Sequence, residues 1–193
     1  MSKNTFMIFD LIILTTIGVI LEVLGIVVQV KFVSSPTNFW FVSLTTVIIL
    51  IAMFRWGFFG FFSYFFLTLA TVITYSIVGS ISLIQYFIYL LGTAFVGINL
   101  LWFKIIRKDK MAKRLGYIVL YSLSGYILIA LGRSLIALFG GFSFNDTLRT
   151  FIFGEAFTIV IGIIIMIIVY HQKTILVDID KYLQEINEKG ENP

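Results

Sequence analysis

Hydrophobic residues occur in long runs along the chain, and polar residues lie mainly between these runs. A helix that crosses a membrane needs roughly 20 mainly apolar residues, because the hydrocarbon core is about 30 Å thick and a helix rises about 1.5 Å per residue. Six runs approach this length. They predict membrane-spanning helices at about residues 8–30, 38–54, 57–78, 83–103, 116–139 and 148–170.

Composition supports the same interpretation, since 60% of the residues are hydrophobic and only 12% are charged. These fractions lie far from those of a soluble domain. We therefore expect an all-α integral membrane protein in which residues 1–193 form one domain, a compact bundle of six transmembrane helices. The six spans leave no room for a soluble catalytic domain, and the absence of cysteine excludes disulfides and thiolate metal sites.

The basic residues predict how the chain is oriented. If the amino terminus is cytoplasmic, most lysines and arginines fall on the cytoplasmic side, with "KIIRKDKMAKR" as the main anchor, and only Lys31 and Arg149 fall outside. This bias favours a multi-pass protein of the cell membrane with both termini cytoplasmic. The net charge of +4 then reflects topology, and no nucleic-acid partner is expected. Residues 173–193 are predicted to form an amphipathic cytoplasmic tail.

Three charged residues lie well inside the predicted spans, away from their ends, and a charge at the helix centre costs roughly 2.5–3.5 kcal/mol. By the helical rise, Arg133, Glu155 and Glu22 lie about 9, 10 and 12 Å below the outer surface. Arg133 and Glu155 are interpreted as a buried ion pair, as part of a ligand pocket open to the outside, or as both. Glu22 points to that pocket or to a subunit interface. Asp10 is expected to face the headgroups or to cap the first helix.

Aromatic and amide side chains at a similar depth favour the pocket, because they offer stacking surfaces and hydrogen-bonding groups. Each aromatic residue taken alone also fits the aromatic belt at a membrane interface. The candidate pocket residues besides the three charged ones are Asn38, Trp40, Gln85, Tyr86, Tyr89 and Tyr126.

No catalytic residue, cofactor site or metal site is predicted. His171 is the only histidine, and no phosphate-binding glycine loop is present. After Glu155 the segment "TIVIGIIIMIIVY" offers no polar path, so a pocket open at one end is favoured over a channel. The alternatives are a non-catalytic accessory or structural membrane subunit and, less favoured, a membrane enzyme without a recognisable motif.

Two segments resemble a known family. "VSLTTVIILIAMFRWGFFGFFSYFF" is similar to the second and third helices of the substrate-binding S components of energy-coupling factor (ECF) transporters, and "DIDKYLQEINE" is similar to the ending of riboflavin-type S components. The resemblance covers nearly the whole chain. It implies high-affinity binding and translocation of a water-soluble vitamin or precursor, such as pantothenate, hydroxymethylpyrimidine or riboflavin, in a prokaryotic cell membrane.

The resemblance also implies partners: a transmembrane coupling subunit and two cytoplasmic ATPase subunits. The bound vitamin would be covered by the loop "KFVSSPTNFW", and the loaded protein would then topple in the bilayer. In that family an Ala-x-x-x-Ala pattern on the first helix lets the coupling subunit approach closely. Ile12 and Thr16 occupy the corresponding positions, so Thr15, Thr16 and Gly18 are the implied interface residues.

Overall fold

A computed structural model of the chain describes residues 3–32, 43–78, 82–172, 175, 176 and 179. Within these ranges every regular element is a helix. The helices are α1 Lys3–Phe32, α2 Thr45–Trp56, α3 Phe58–Phe61, α4 Ser63–Val78, α5 Leu83–Thr93, α6 Leu101–Ile105, α7 Lys108–Met111, α8 Leu115–Phe139, α9 Phe144–Gly154 and α10 Ala156–His171, with a 3₁₀ segment Ala94–Leu100 between α5 and α6.

Four helical stretches are long and apolar enough to cross a membrane, namely Asn4–Gln29, Phe58–Val78, Leu83–Ile105 and Leu115–Phe139. The bent pair α9 and α10 makes a fifth if it is counted as one span. The prediction of an all-α chain with membrane-spanning helices is therefore confirmed for the described residues. Six spans are not, because α2 is an apolar helix of only 12 residues. Residues 38–42 of the second predicted span lie outside the described ranges.

The last predicted span, 148–170, is wrong as a single continuous helix. Its residues are divided between α9, which begins earlier at Phe144, and α10, and the two helices meet at an angle of 51°. The break falls at Gly154 and Glu155. Helix α9 is strongly amphipathic and none of its residues is fully buried, whereas α10 is apolar throughout most of its length. Glu155 therefore lies at a helix end.

Helix α8 is central, and α5 packs closely against it through two glycines. A Cβ added at Gly92 would lie 2.5 Å from the Arg133 Cα atom, and one at Gly132 would overlap the Gly92 carbonyl oxygen. Any larger residue at either position would push the helices apart, because small residues are what allow such close approach in membrane proteins. The crossing of α5 and α8 thus fixes the backbone that carries Arg133.

Apolar side chains close one half of the bundle. Leu50 and Phe54 of α2, Tyr121 of α8 and Met166 of α10 are fully buried in one core. Tyr121 lies 12 residues before Arg133, which is about 18 Å along the helix axis. Large apolar residues also cover the outward faces of α1, α4 and α10, as expected for surfaces in contact with lipid.

A charged cluster marks one end of the bundle, which we call the basic end after Arg55 and the nearby lysines and arginines of residues 104–114. Arg55 donates to both oxygens of Asp10 at 2.8 and 2.7 Å and to the carbonyl oxygen of Ile175 at 2.9 Å. The indole N–H of Trp56 donates to Asp10 at 2.5 Å. Asp10 thus lies inside α1 and pairs with α2, so the expectation that it caps the helix is wrong, and its role in the described structure is to join the two helices.

Replacing Asp10 by Asn is expected to lower the free energy of unfolding by about 1–3 kcal/mol, because three charge-assisted hydrogen bonds are weakened and Arg55 loses its counter-ion. Thermal unfolding of the purified protein in detergent measures the change. Asp146→Asn is the matched control, since the exposed Asp146 side chain lies in the first turn of α9, where its charge contributes less than about 1 kcal/mol. Equal midpoints for the two variants would contradict the expected importance of the Asp10 cluster.

Candidate functional site

A polar cavity of about 60 Å³ lies in the half of the bundle away from the basic end. Glu22 reaches it from α1, 12 residues beyond Asp10, and Arg133 reaches it from α8. Six helices and the break between α9 and α10 contribute to its wall. The lining residues are Glu22, Ser43, Thr45, Thr68, Thr71, Tyr75, Tyr89, Arg133, Thr150, Phe151, Gly154 and Glu155.

Arg133 is buried and is held on several sides. One of its terminal nitrogens forms an ion pair with Glu155, and the other donates to the Thr93 hydroxyl at 3.3 Å. The guanidinium group lies 4.6 Å from the ring centre of Tyr89 and 5.5 Å from that of Phe151. Its Nε atom has no hydrogen-bond partner among the described residues. The charge of Arg133 is therefore compensated, but one donor remains unused at the cavity wall.

The break between α9 and α10 places Glu155 beside Arg133. Glu155 precedes the first residue of α10, where unpaired backbone N–H groups favour a negative charge. Gly154 also lines the cavity, and a Cβ there would meet nothing within 4 Å. Phe151, one turn earlier, contacts Tyr89 edge to face at 6.3 Å. The ion pair thus joins α8 to the bend, and an aromatic contact joins α9 to α5.

Glu22 is fully buried and contacts only neutral groups. The Ser43 hydroxyl lies 3.0 and 2.9 Å from its two oxygens, and the Leu44 N–H donates at 3.2 Å. The Thr71 hydroxyl lies 3.2 Å from one oxygen, but it also lies 3.0 Å from the Leu67 carbonyl oxygen and has only one hydrogen to donate. Among the described residues, no cationic side chain lies within ion-pair distance of Glu22.

Helix α4 turns a polar stripe toward the cavity. Thr68, Thr71 and Tyr75 follow one another at spacings of three and four residues, so they share one face of the helix. The Thr68 hydroxyl is buried and has no hydrogen-bond partner in the described part of the chain. Buried hydroxyls normally have a partner. This hydroxyl is therefore available to a polar group inside the cavity.

The structure brings four of the predicted pocket residues together at this cavity: Glu22, Tyr89, Arg133 and Glu155. Tyr126 is buried against Gly162 and does not line the cavity. Gln85 accepts a hydrogen bond from the Ser82 N–H at the start of α5, where it is exposed.

Tyr86 bonds the Ser76 hydroxyl between α5 and α4. It therefore joins two helices and does not line the cavity. Asn38 and Trp40 lie outside the described residues, as does most of the loop "KFVSSPTNFW".

The three residues implied as a partner interface do not share one surface. Thr15 and Thr16 line an apolar groove of about 410 Å³ between α1 and the segment of α3 and α4. Thr15 also donates to the Ser63 hydroxyl at 3.2 Å. Gly18 is buried, and a Cβ there would lie 2.6 Å from a Leu67 methyl carbon. Gly18 therefore lies on the face of α1 that packs inside the bundle, and it does not line the groove.

Several cavity residues escaped the sequence analysis because they are neutral. Ser43, Thr45, Thr68 and Thr71 carry hydroxyls that a helix interior tolerates without a charge partner. A signal was present in α4, where hydroxyl residues recur every three to four positions in an otherwise apolar run. Such a stripe is the polar counterpart of an amphipathic face.

Comparison of the chain with protein-family models, with curated proteins and with solved structures returned no match. The functional argument therefore depends on the cavity and its residues.

Proposed function

We propose that this chain captures a small water-soluble molecule in the polar cavity and passes it across the membrane as the S component of an ECF transporter. The observation that carries the proposal is the meeting of Glu22, Arg133 and Glu155 in one cavity. Charged groups in a membrane-spanning bundle are costly, and when they converge on a cavity they usually serve a ligand or an ion. The ligand would be a vitamin or a vitamin precursor.

The direction of entry follows from the charge distribution. Arg55 and the basic residues of 104–114 lie at the end opposite the cavity, and such residues favour the cytoplasmic side. The cavity would then face outward with both termini in the cytoplasm. The apolar core around Leu50, Phe54 and Tyr121 would separate a bound ligand from the cytoplasm.

Release inside would require other subunits, because large apolar side chains such as Leu50 and Phe54 fill the described core between the cavity and the basic end. The proposed partners are a transmembrane coupling subunit and two cytoplasmic ATPases. The groove that contains Thr15 and Thr16 supports this part of the proposal, since it is an apolar surface on α1 with room for the side chains of another helix.

The decisive experiment is gentle purification of the protein followed by mass spectrometry of any small molecule that accompanies it. A retained vitamin or precursor, bound in about one copy per chain and competed by the same compound in calorimetry, is the expected result. The proposal fails if the purified protein carries no metabolite and also binds none of a panel of vitamins.

A second function, that of an accessory subunit whose charges only lock helices together, is favoured by one contact. The ion pair between Arg133 and Glu155 joins α8 to the bend between α9 and α10 and would stabilise the bundle without any ligand. That interpretation gives no role to the Thr68 hydroxyl, which lacks a hydrogen-bond partner among the described residues, or to Glu22, which has no cation within ion-pair distance among them. A third possibility, an enzyme, predicts turnover by the purified chain alone.

A further inference from the structure

The charges around the cavity do not balance. Arg133 and Glu155 neutralise each other through their ion pair, and Arg133 is further held by Thr93 and by the rings of Tyr89 and Phe151. Glu22 lines the same cavity and has only neutral donors around it. An ionised Glu22 would therefore leave this part of the bundle with one uncompensated negative charge.

Glu22 also has hydrogen-bonding capacity to spare. A carboxylate offers about four acceptor sites. Ser43 and the Leu44 N–H occupy part of this capacity, and Thr71 has a competing acceptor in the Leu67 carbonyl. A second group at the same wall, the buried hydroxyl of Thr68, has no partner among the described residues. The spare acceptor capacity of Glu22 suits a hydrogen-bond donor from outside the chain, and the Thr68 hydroxyl, which can donate or accept, can bond to the same group.

We infer that the Glu22 side of the cavity is a subsite for a cationic nitrogen group, an ammonium or an amidinium, and that the molecule captured by this chain carries such a group. The inference rests on the proposed function and names the chemical class of its ligand. A cationic N–H group supplies both the charge that Glu22 lacks and the hydrogen bonds that Glu22 and Thr68 leave open. A purely anionic ligand would instead face an unpaired carboxylate.

The size of the cavity is consistent with a subsite for one functional group. One water molecule needs about 10–15 Å³ of cavity volume. A cavity of about 60 Å³ therefore holds only a few non-hydrogen atoms. The cationic head of a ligand fits this space. The remainder of a vitamin-sized molecule would need the cavity to widen toward Ser43 or toward the bend at Gly154.

Methylammonium is a probe of the right size. We expect about 100 mM methylammonium chloride to raise the thermal unfolding midpoint of the purified protein by about 3 °C, because a two-atom ligand reaches at best a millimolar dissociation constant. Sodium chloride and sodium formate at the same concentration control for ionic strength and for an anionic probe. The inference is overturned if formate or sodium chloride stabilises the protein as much as methylammonium does.

Three variants test whether the shift of the unfolding midpoint by methylammonium arises at the Glu22 side of the cavity. Glu22→Gln keeps the shape of the side chain and removes its charge, so the methylammonium shift should disappear. Asp109→Asn removes an equal charge at the basic end, outside the cavity, and should keep the full shift. Thr68→Val removes the free hydroxyl without breaking a described hydrogen bond, and we expect it to reduce the shift. If Glu22→Gln does not fold, the comparison of methylammonium chloride with sodium formate and sodium chloride on the wild-type protein still tests whether the cavity prefers a cationic nitrogen group.

Failure of this inference can be told apart from failure of the proposed function. An uncharged or anionic metabolite retained by the purified protein would overturn the cationic subsite and leave ligand capture intact. Stabilisation by methylammonium that depends on Glu22, in a protein that binds no vitamin, would uphold the subsite and overturn vitamin uptake.

Discussion

Arg133→Met is expected to lower the free energy of unfolding by about 3 kcal/mol, the lower end for breaking a buried ion pair, because it leaves the Glu155 side chain, which is 25% exposed, without its counter-ion. The double variant Arg133→Met, Glu155→Met recovers most of this loss, since replacing both members of a buried pair by apolar groups is often close to neutral. Thermal unfolding of the three proteins in the same detergent measures the effect. The difference between single and double variants isolates the pair from the rest of the packing.

A binding measurement on the double variant distinguishes a ligand-binding role of the ion pair from a purely structural role. We expect the stable double variant to hold the accompanying metabolite at least about tenfold more weakly than the wild type, which corresponds to about 1.4 kcal/mol. The reason is that the wall formed by Arg133 against Tyr89 and Phe151 is lost. A double variant that retains the metabolite as fully as the wild type would show that the ion pair only joins α8 to the bend.

Gly132→Ala is the second substitution for which we expect a large loss of stability. The added methyl group would overlap the Gly92 carbonyl oxygen and lie within 2.6 Å of two side-chain atoms of Phe95, so α5 and α8 must separate. Overpacking of this kind costs about 1–3 kcal/mol. It also shifts Arg133, the next residue, relative to Tyr89 on α5. We therefore expect lower thermal stability together with weaker retention of the metabolite.

The matched control for this variant is Gly116→Ala on the same helix. A Cβ at Gly116 meets nothing within 4 Å, and alanine is favoured over glycine in a helix by roughly 0.5–1 kcal/mol. Gly116→Ala should therefore leave stability unchanged or slightly raised and leave ligand retention intact. Equal behaviour of the two variants would contradict the role assigned to the crossing of α5 and α8.

The sequence predicted that Arg133 and Glu155 form an ion pair, and the structure confirms this pair. Glu22, Arg133 and Glu155 were expected at one level, and they do line one cavity. Depth follows from counting residues along a helix, because the rise per residue is constant. Tyr126 lies on the same helix as Arg133 and still misses the cavity, since its side chain packs on Gly162 of α10. The side chain that a residue contacts depends on how two helices pack, so it cannot be predicted from the sequence of one helix.

The break at Glu155 shows why the last predicted span is not one continuous helix. Hydropathy alone joined residues 148–170 into one run, because Gly154 and Glu155 interrupt it only briefly. Phe151 of α9 packs against Tyr89 of α5 and beside Arg133 of α8, so contacts with other helices, which hydropathy does not record, set the direction of α9. The bend then becomes the position from which Glu155 meets Arg133.

By itself the sequence determined that the described part of the chain is helical, that several helices are long and apolar enough to cross a membrane, and that charged residues interrupt them, because length, hydropathy and helical rise are local properties. Tertiary structure alone decided that Asp10 pairs with Arg55, that Gly92 meets Gly132 and that no cation among the described residues lies beside Glu22. These relations depend on the rotation of each helix about its axis and on contacts between residues far apart in the chain. Several faces of each helix are equally apolar, so hydropathy does not show which face turns toward lipid and which toward another helix. Only the packing of the helices decides this.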